Sequence, residues 1–318
     1  MSFVIPIGSG KGGVGKTIFT ANLGIMLARS GKKTVLIDLD LGGSNLHTCL
    51  GIKNRNSGIS SLINKQENSI EDLIFETDID NLFFIPGDTL NPGTGNLPFF
   101  TKKKIIKQIN QIDADFVLLD LGAGSTYNTV DFFLLSPYGI IFTSPETTSV
   151  LNAYSFIKTA VFRMLFRSFK PKSPEREIIY NFINIKLEGS GRSFAGDLIN
   201  ELTAHSYMSG QAAAEKIKEF HPWVIVNRVE NRESIELGLK LQDITRKNIG
   251  IDLEFLGPLP EDREVQMSIF NRSPVVITNP ASVYSKQLLV IANKLVSGEI
   301  LPQPELYLDD EDLLKIED

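Results

Sequence analysis

The chain has a single cysteine, Cys49, among its 318 residues. No internal disulfide is possible, and no C-x-x-C pair exists to hold zinc or an iron-sulfur cluster. Long apolar runs are missing too. The longest, FFLLSPYGIIF at 132–142, is broken by Ser136, Pro137 and Gly139 and is too short to cross a bilayer. The opening MSFVIPIG reads as a strand, without the basic lead, apolar core and cleavage site of a secretory signal, and a cytoplasmic protein is expected. Basic residues are in deficit: 32 Lys and Arg face 38 Asp and Glu, a net charge of -6. From 299 onward eight acids stand against Lys315 alone. Residues 1–298 are therefore close to neutral, and neither part carries the basic footprint of a nucleic-acid binder. No specific nucleic acid is expected as a partner. With 42% hydrophobic residues, the composition is that of an ordinary globular chain able to bury a large core.

Short runs rich in Val, Ile, Phe and Leu recur at 3–7, 34–39, 82–86, 116–121, 139–143, 223–227 and 252–256, each ended by Gly, Pro or polar residues as strands are. Segments with helical periodicity separate most of them, such as 17–31, closed by Gly31, and 102–112. Alternation of this kind implies a three-layer α/β fold: a doubly wound, mostly parallel sheet that binds ligands at the carboxyl ends of its strands. One connection is too long for a simple crossover. A helical insertion is expected at about 163–222, with a Gly/Ser break at 189–193 and helices over AGDLINELTAH and GQAAAEKIKEF. Residues 1–298 then form one domain, and 299–318 an acidic tail on the surface or disordered.

Between the first strand and the helix after it lies GSGKGGVGKT, at 8–17. It completes the phosphate-loop pattern G-x-x-x-x-G-K-[ST] with Gly10, Gly15, Lys16 and Thr17. Glycines let backbone N–H groups approach phosphate oxygens, and the helix adds its positive N-terminal end. Lys16 supplies a cation for the outer phosphates, and the Thr17 hydroxyl suits Mg²⁺. Two further strands end in carboxylates at the same edge: TVLIDLDLGGSN with Asp38 and Asp40, and FVLLDLGAGS with Asp120, then Gly122 and Gly124. Together these give a Mg²⁺-nucleotide site with a carboxylate to orient water. The pattern has one lysine, Lys11, more than it requires.

KGGVGKT with this extra lysine resembles the deviant Walker A loop of the MinD/ParA family of dimerising ATPases. DLDLGG is similar to that family's first switch and LLDLGAGS to its second. The similarity runs from residue 1 to about 297, excluding much of 163–222. Within the family, LGAG and TSPETTSVLNAYSFIK (143–158) are closest to the FlhG (FleN) branch, which positions and counts flagella. The resemblance implies a P-loop fold, ATP and ADP with Mg²⁺ as cofactors, and a homodimer formed on ATP binding. Gly10, Gly12, Gly13, Val14, Gly15 and Ile18 would line the nucleotide, with Lys16 and Thr17 on its phosphates and metal. Asp40 would orient the attacking water, while Asp38 and Asp120 would support the metal through water. Asn227 and Arg228, after the strand in WVIVNRV, match the adenine-recognising position; Pro260, Glu261 and Asp262 match the loop over the base. Lys11 would reach the nucleotide of the facing subunit and neutralise charge on the leaving phosphate.

The resemblance implies a slow, dimerisation-dependent switch that regulates the placement or number of a cellular structure. It also implies a protein partner and recruitment to a pole or membrane site. The end LDDEDLLKIED departs from MinD relatives, which close on a basic amphipathic helix; its acids would be repelled by anionic lipid, which speaks against a membrane anchor. The segment 156–172 offers another surface, with Phe162, Leu165, Phe166 and Phe169 on one arc of a helix and Arg163, Arg167 and Lys170 on another. Such stripes most often pack on the core. The alternatives are a ParA-like DNA or cargo partitioning ATPase, against which the acidic balance weighs, and a metabolic P-loop ligase, against which Lys11 weighs.

Overall fold

The computed structural model describes residues 2–53, 57–63, 69–87, 97, 99–186 and 194–298. The acidic segment 299–318 and the Gly/Ser break at 189–193 lie outside them. Among the described residues eight strands form the sheet: β1 (Phe3–Ser9), β2 (Thr34–Leu39), β3 (Phe75–Glu76), β4 (Leu82–Ile85), β5 (Phe116–Ala123), β6 (Ile140–Thr143), β7 (Trp223–Val229) and β8 (Glu254–Pro260). Their spatial order is β3-β4-β2-β5-β1-β6-β7-β8. All neighbours are parallel except β3, which pairs antiparallel with β4. The doubly wound, mostly parallel sheet read from the sequence is the one observed.

Side chains alternate across the strands and build one core on each face. Val4, Val35, Ile37, Val117, Leu119, Val224 and Val226 point to one side, where the helices Phe99–Ile109, Tyr127–Phe133, Thr147–Ser168 and Arg232–Ile249 pack. Ile5, Ile7, Leu36, Leu118 and Ile225 point to the other, beneath the helices Lys16–Arg29 and Val283–Ser297. Burial on both faces is why the strands read as continuous apolar runs instead of alternating ones.

Three details differ from the sequence reading. β3 is not visible in the sequence, being two residues long with no periodicity. β7 continues through Val229, so Asn227 and Arg228 lie inside the strand and not after it; Arg228 takes φ 60° and the register with β8 shifts there. The helix that crosses from β6 starts at Thr147 and stops at Ser168, where Phe169 turns extended (φ -105°, ψ 158°). The boundary expected at 163 falls inside this helix. After it come Pro174–Lys186, Phe194–His205 and Tyr207–Lys218, held by Phe194 edge-on to Phe162 at 4.2 Å and to Phe182 at 5.0 Å.

The arc of Phe162 and Leu165 is core, 7% and 0% exposed. The opposite arc is drawn inward by Asp131. Its carboxylate accepts Arg163 Nε at 2.7 Å and Nη2 at 2.9 Å, Arg167 Nη1 at 3.1 Å, and Lys102 Nζ. Burial alone would raise this carboxyl, but bonds from Arg163 and Lys102 and their charges outweigh it and hold it below the usual carboxylate range. Among the described residues, no helix is long and apolar enough to cross a membrane.

Candidate nucleotide-binding site

The central strand β1 runs into the loop at 8–17, and Gly15 starts the next helix from a left-handed conformation, φ 96°. That helix has neither a side-chain cap nor an acid in its first turn, so its positive end is open to an anion. Gly10 is fixed by space: a Cβ there would sit 2.2 Å from the backbone C and O of Asn152. The loop is thereby pressed against the start of the helix Thr147–Ser168. Gly12 and Gly13 are exposed at its rim. Val14 is buried, and its carbonyl accepts Asn227 Nδ2 at 2.8 Å.

Lys16, 6% exposed, points across to β5 and donates to Asp120 Oδ1 at 2.6 Å. Thr20 Oγ1, one helical turn after Lys16, lies 3.2 Å from the same oxygen. Asp120 Oδ2 is buried with no hydrogen-bond partner among the described residues. Asp38 and Asp120 are directly paired in the β2–β5 register. Burial and then the charge of Asp120 raise Asp38 to about 7, against hydrogen bonds from Ser44, Leu46 and Asp40 that favour its ionised form. Ser44 Oγ donates to Asp38 Oδ2 at 2.6 Å, the Leu46 N–H to the same oxygen at 3.0 Å, and the Asp40 N–H to Oδ1 at 3.1 Å. Both Asp38 oxygens are thus engaged in shaping the turn after β2.

Asp40 is only partly buried and faces the end of β5: a Cβ on Gly122 would lie 3.3 Å from its Oδ1. Gly124, φ 84°, donates its N–H to Ser9 O at 2.9 Å and ties the segment after β5 to the loop. An orphaned Asp120 oxygen beside the raised Asp38 is a local excess of negative charge, and Thr17 sits next to Lys16 at the open helix end. These groups fit a divalent cation. Among the described residues no three His, Cys, Asp or Glu converge to hold an ion on their own, so the fit is to a cation shared with phosphate and water oxygens.

Asn227, Arg228, Pro260, Glu261 and Asp262 line one cavity of about 210 Å³ together with Gly15 and Ile18. The sequence reading missed its remaining walls, Val265, Gln266, Ile269 and Tyr284. Tyr284 is 2% exposed, and its N–H donates to Asp262 Oδ2 at 3.1 Å. Asn227 joins this cavity to the loop, since the same side chain holds Val14.

Lys11 does not enter the pocket of its own chain. Its Nζ is ion-paired with Glu146, the residue before the helix Thr147–Ser168, and the two side chains are 30% and 53% exposed. Glu146 lies in the SPETT stretch that carries the resemblance, but nothing local in the sequence assigns it a role, nor Thr20 and Ser44 beside the motif residues. Cys49 also lies near the site: burial, then the charges of Asp120 and Asp38, push its thiol up to about 12.

Comparison with known proteins agrees with this geometry. Residues 5–275 match the family described as the CobQ/CobB/MinD/ParA nucleotide binding domain. The septum site-determining protein MinD of Helicobacter pylori is 35% identical over 156 residues, 48% of this chain and 57% of that protein. The flagellum site-determining protein YlxH of the same organism is 32% identical over 159 residues, 48% of this chain and 52% of that protein. These alignments span about half the length of each relative. A solved MinD from Pyrococcus horikoshii, complexed with Mg-ADP, covers 95% of this chain and 99% of its own with a TM-score of 0.63 at 20% identity, a likeness of fold. Since the family match takes in the phosphate loop, both aspartate-bearing strands and Asn227 with the loop at 260–262, the chain belongs to the CobQ/CobB/MinD/ParA family of nucleotide-binding domains.

Proposed function

We propose that the protein is an ATP-dependent molecular switch of the MinD/ParA type: a slow Mg²⁺-dependent ATPase that works as a homodimer and regulates where, or how many times, a cellular structure such as a flagellum is built. The observation that carries this reading is the division of labour between two lysines of one loop. Lys16 is buried against Asp120, inside the site. Lys11 is outside the pocket, paired with Glu146 and partly open to solvent, and in this reading it leaves that pair to serve a second subunit.

In this reading bound Mg²⁺-ATP supplies the scissile phosphate bond and the cation that balances its charge. Asp120 holds Lys16 in place, Thr17 and the unpartnered Asp120 oxygen would hold the cation directly or through water, and Asp38 keeps the β2 turn in shape. Asp40, beside Gly122, orients the attacking water. Asn227, Arg228 and the residues 260–262 hold the base. Lys11 of each subunit neutralises charge on the other's leaving phosphate, so hydrolysis waits for dimerisation. The arginine finger that does comparable work is worth ~10³ to 10⁵ in rate. Likeness to a flagellum site-determining protein and a septum site-determining protein supports the positioning role.

Asp40→Ala tests the reading. The variant should retain ATP and accumulate as a dimer, seen as a doubled mass by light scattering with ATP and Mg²⁺ but not with ADP. A variant that stays monomeric with ATP at every concentration would contradict it.

A further inference from the structure

Charge is segregated on the face of the sheet where Asp131 lies. The helix Phe99–Ile109 has four lysines and no acid, and the helix Thr147–Ser168 has Lys158, Arg163 and Arg167 and no acid. The helix Tyr127–Phe133, bonded to both through Asp131, has that carboxylate as its one charge. Seven cations against one carboxylate give these three helices +6 in a chain whose total is -6, so everything else sums to -12. The near-neutral balance of residues 1–298 conceals this.

The cluster is not neutralised from within. Asp131 receives Lys102, Arg163 and Arg167 together, so a single carboxylate serves three cations. Lys103, Lys104 and Lys107 are exposed and form no ion pair among the described residues, and the Arg167 side chain is 44% exposed. Apolar surface lies among these charges: Tyr127 is 68% exposed with the Arg163 guanidinium 4.8 Å from its ring centre, and Phe100 is 82% exposed. Two of the helices start at the nucleotide site, one shortly after Gly124, which is bonded to Ser9, the other with Asn152 against Gly10. We propose that this face docks an acidic segment of a partner protein, which sets carboxylates on Lys103, Lys104, Lys107 and Arg167 and an apolar side chain on Tyr127.

Charge complementarity steers carboxylates to such a face and suppresses basic partners. Other anionic occupants fit less well. A nucleic-acid duplex carries one charge per about 1.7 Å and runs past a face whose longest helix has 22 residues, about 33 Å, onto the negative remainder of the chain. A lipid surface takes a basic helix that has an apolar arc to insert, and the arc of Phe162 and Leu165 is buried in the core. A short acidic segment ends within the face and needs no such arc.

The test uses the full chain without nucleotide, so its outcome is independent of the ATPase reading. A fluorescent synthetic peptide of alternating Glu and Leu pairs is titrated and followed by anisotropy, beside a counterpart with Gln in place of Glu. The wild type should bind the acidic peptide at least tenfold more tightly than the Gln peptide, and added salt should weaken it. A Lys103→Glu, Lys104→Glu, Lys107→Glu variant keeps the buried contact of Lys102 with Asp131 and should bind the acidic peptide at least tenfold more weakly than the wild type. A variant with the same change of charge at the exposed residues Lys240, Lys247 and Lys286, each to Glu, should bind it as the wild type does. No binding of the acidic peptide by the wild type, or an equal loss in both variants, would overturn the proposal. So would tighter binding of a duplex DNA oligonucleotide, or of vesicles containing phosphatidylglycerol, that is lost on reversal of Lys103, Lys104 and Lys107, since the face would then serve a nucleic acid or a membrane.

Discussion

Glu146→Gln isolates the contact that keeps Lys11 on its own subunit. The hydrogen bond from Lys11, and then its charge, hold the Glu146 carboxyl below the usual range, so the pair is intact at and above the ordinary Glu value and is lost only as pH falls through the lowered one. With side chains 30% and 53% exposed, solvent screens it, and such pairs contribute at most about 1 kcal/mol. A dimer that turns both lysines across the interface gives up two of them. Relieving about 2 kcal/mol strengthens dimerisation by up to roughly thirty-fold, at about 1.4 kcal/mol per factor of ten. Glutamine keeps the shape. Glu146 makes no side-chain cap, so the stability cost to the single subunit is the lost pair, at most about 1 kcal/mol, together with the lost charge at the helix N-terminus, about 0.3–1 kcal/mol. The assay is ATPase rate per subunit against protein concentration. The half-activating concentration should fall by up to about thirty-fold with the saturating rate unchanged, and added salt should narrow the gap between variant and wild type. A variant that needs more protein than the wild type, or saturates lower, refutes the reasoning, because Glu146 would then serve the dimer instead of restraining Lys11.

The same contacts have other consequences. Asp131→Asn leaves Lys102, a side chain 9% exposed, without its carboxylate, and breaking a buried pair costs about 3–5 kcal/mol; urea unfolding should show it. Because Asp131 is held low, its contribution is complete above the unfolded Asp value of about 3.9 and disappears as pH falls through the folded one, so the acid limb of the stability curve should flatten in the variant. Gly10→Ala drives a methyl into the Asn152 backbone, and a loop displaced by about 1 Å loses on the order of 100-fold in kcat/KM. Lys16→Met removes the cation buried at Asp120 and should abolish nucleotide binding measured by calorimetry while the chain stays folded by circular dichroism.

The strands were legible because burial on both faces makes them short apolar runs, and the phosphate loop because its chemistry is local in sequence. Asp38, Asp40 and Asp120 could be placed at strand ends. Their register, which sets Asp38 beside Asp120, could not, since no local signal specifies which strands become neighbours. Distance hid the rest. Lys11 and Glu146 are 135 residues apart, and Arg163 and Asp131 are 32 apart; a helical wheel shows Arg163 and Arg167 on one arc but not the carboxylate that receives them. No sequence motif singles out Tyr284, and only the packing of the last helix brings it to the Asn227 cavity. β3 has too few residues to carry a period.

The central claim is that hydrolysis belongs to a pair of subunits joined by Lys11. Specific ATPase activity measured with mass in solution across a protein dilution series, for the wild type and Lys11→Ala, tests it most directly. Wild-type activity should rise with concentration as the ATP-bound dimer forms, and the Lys11→Ala variant should bind ATP yet not hydrolyse it at any concentration. A concentration-independent monomeric ATPase, with the same rate in the Lys11→Ala variant, would contradict it.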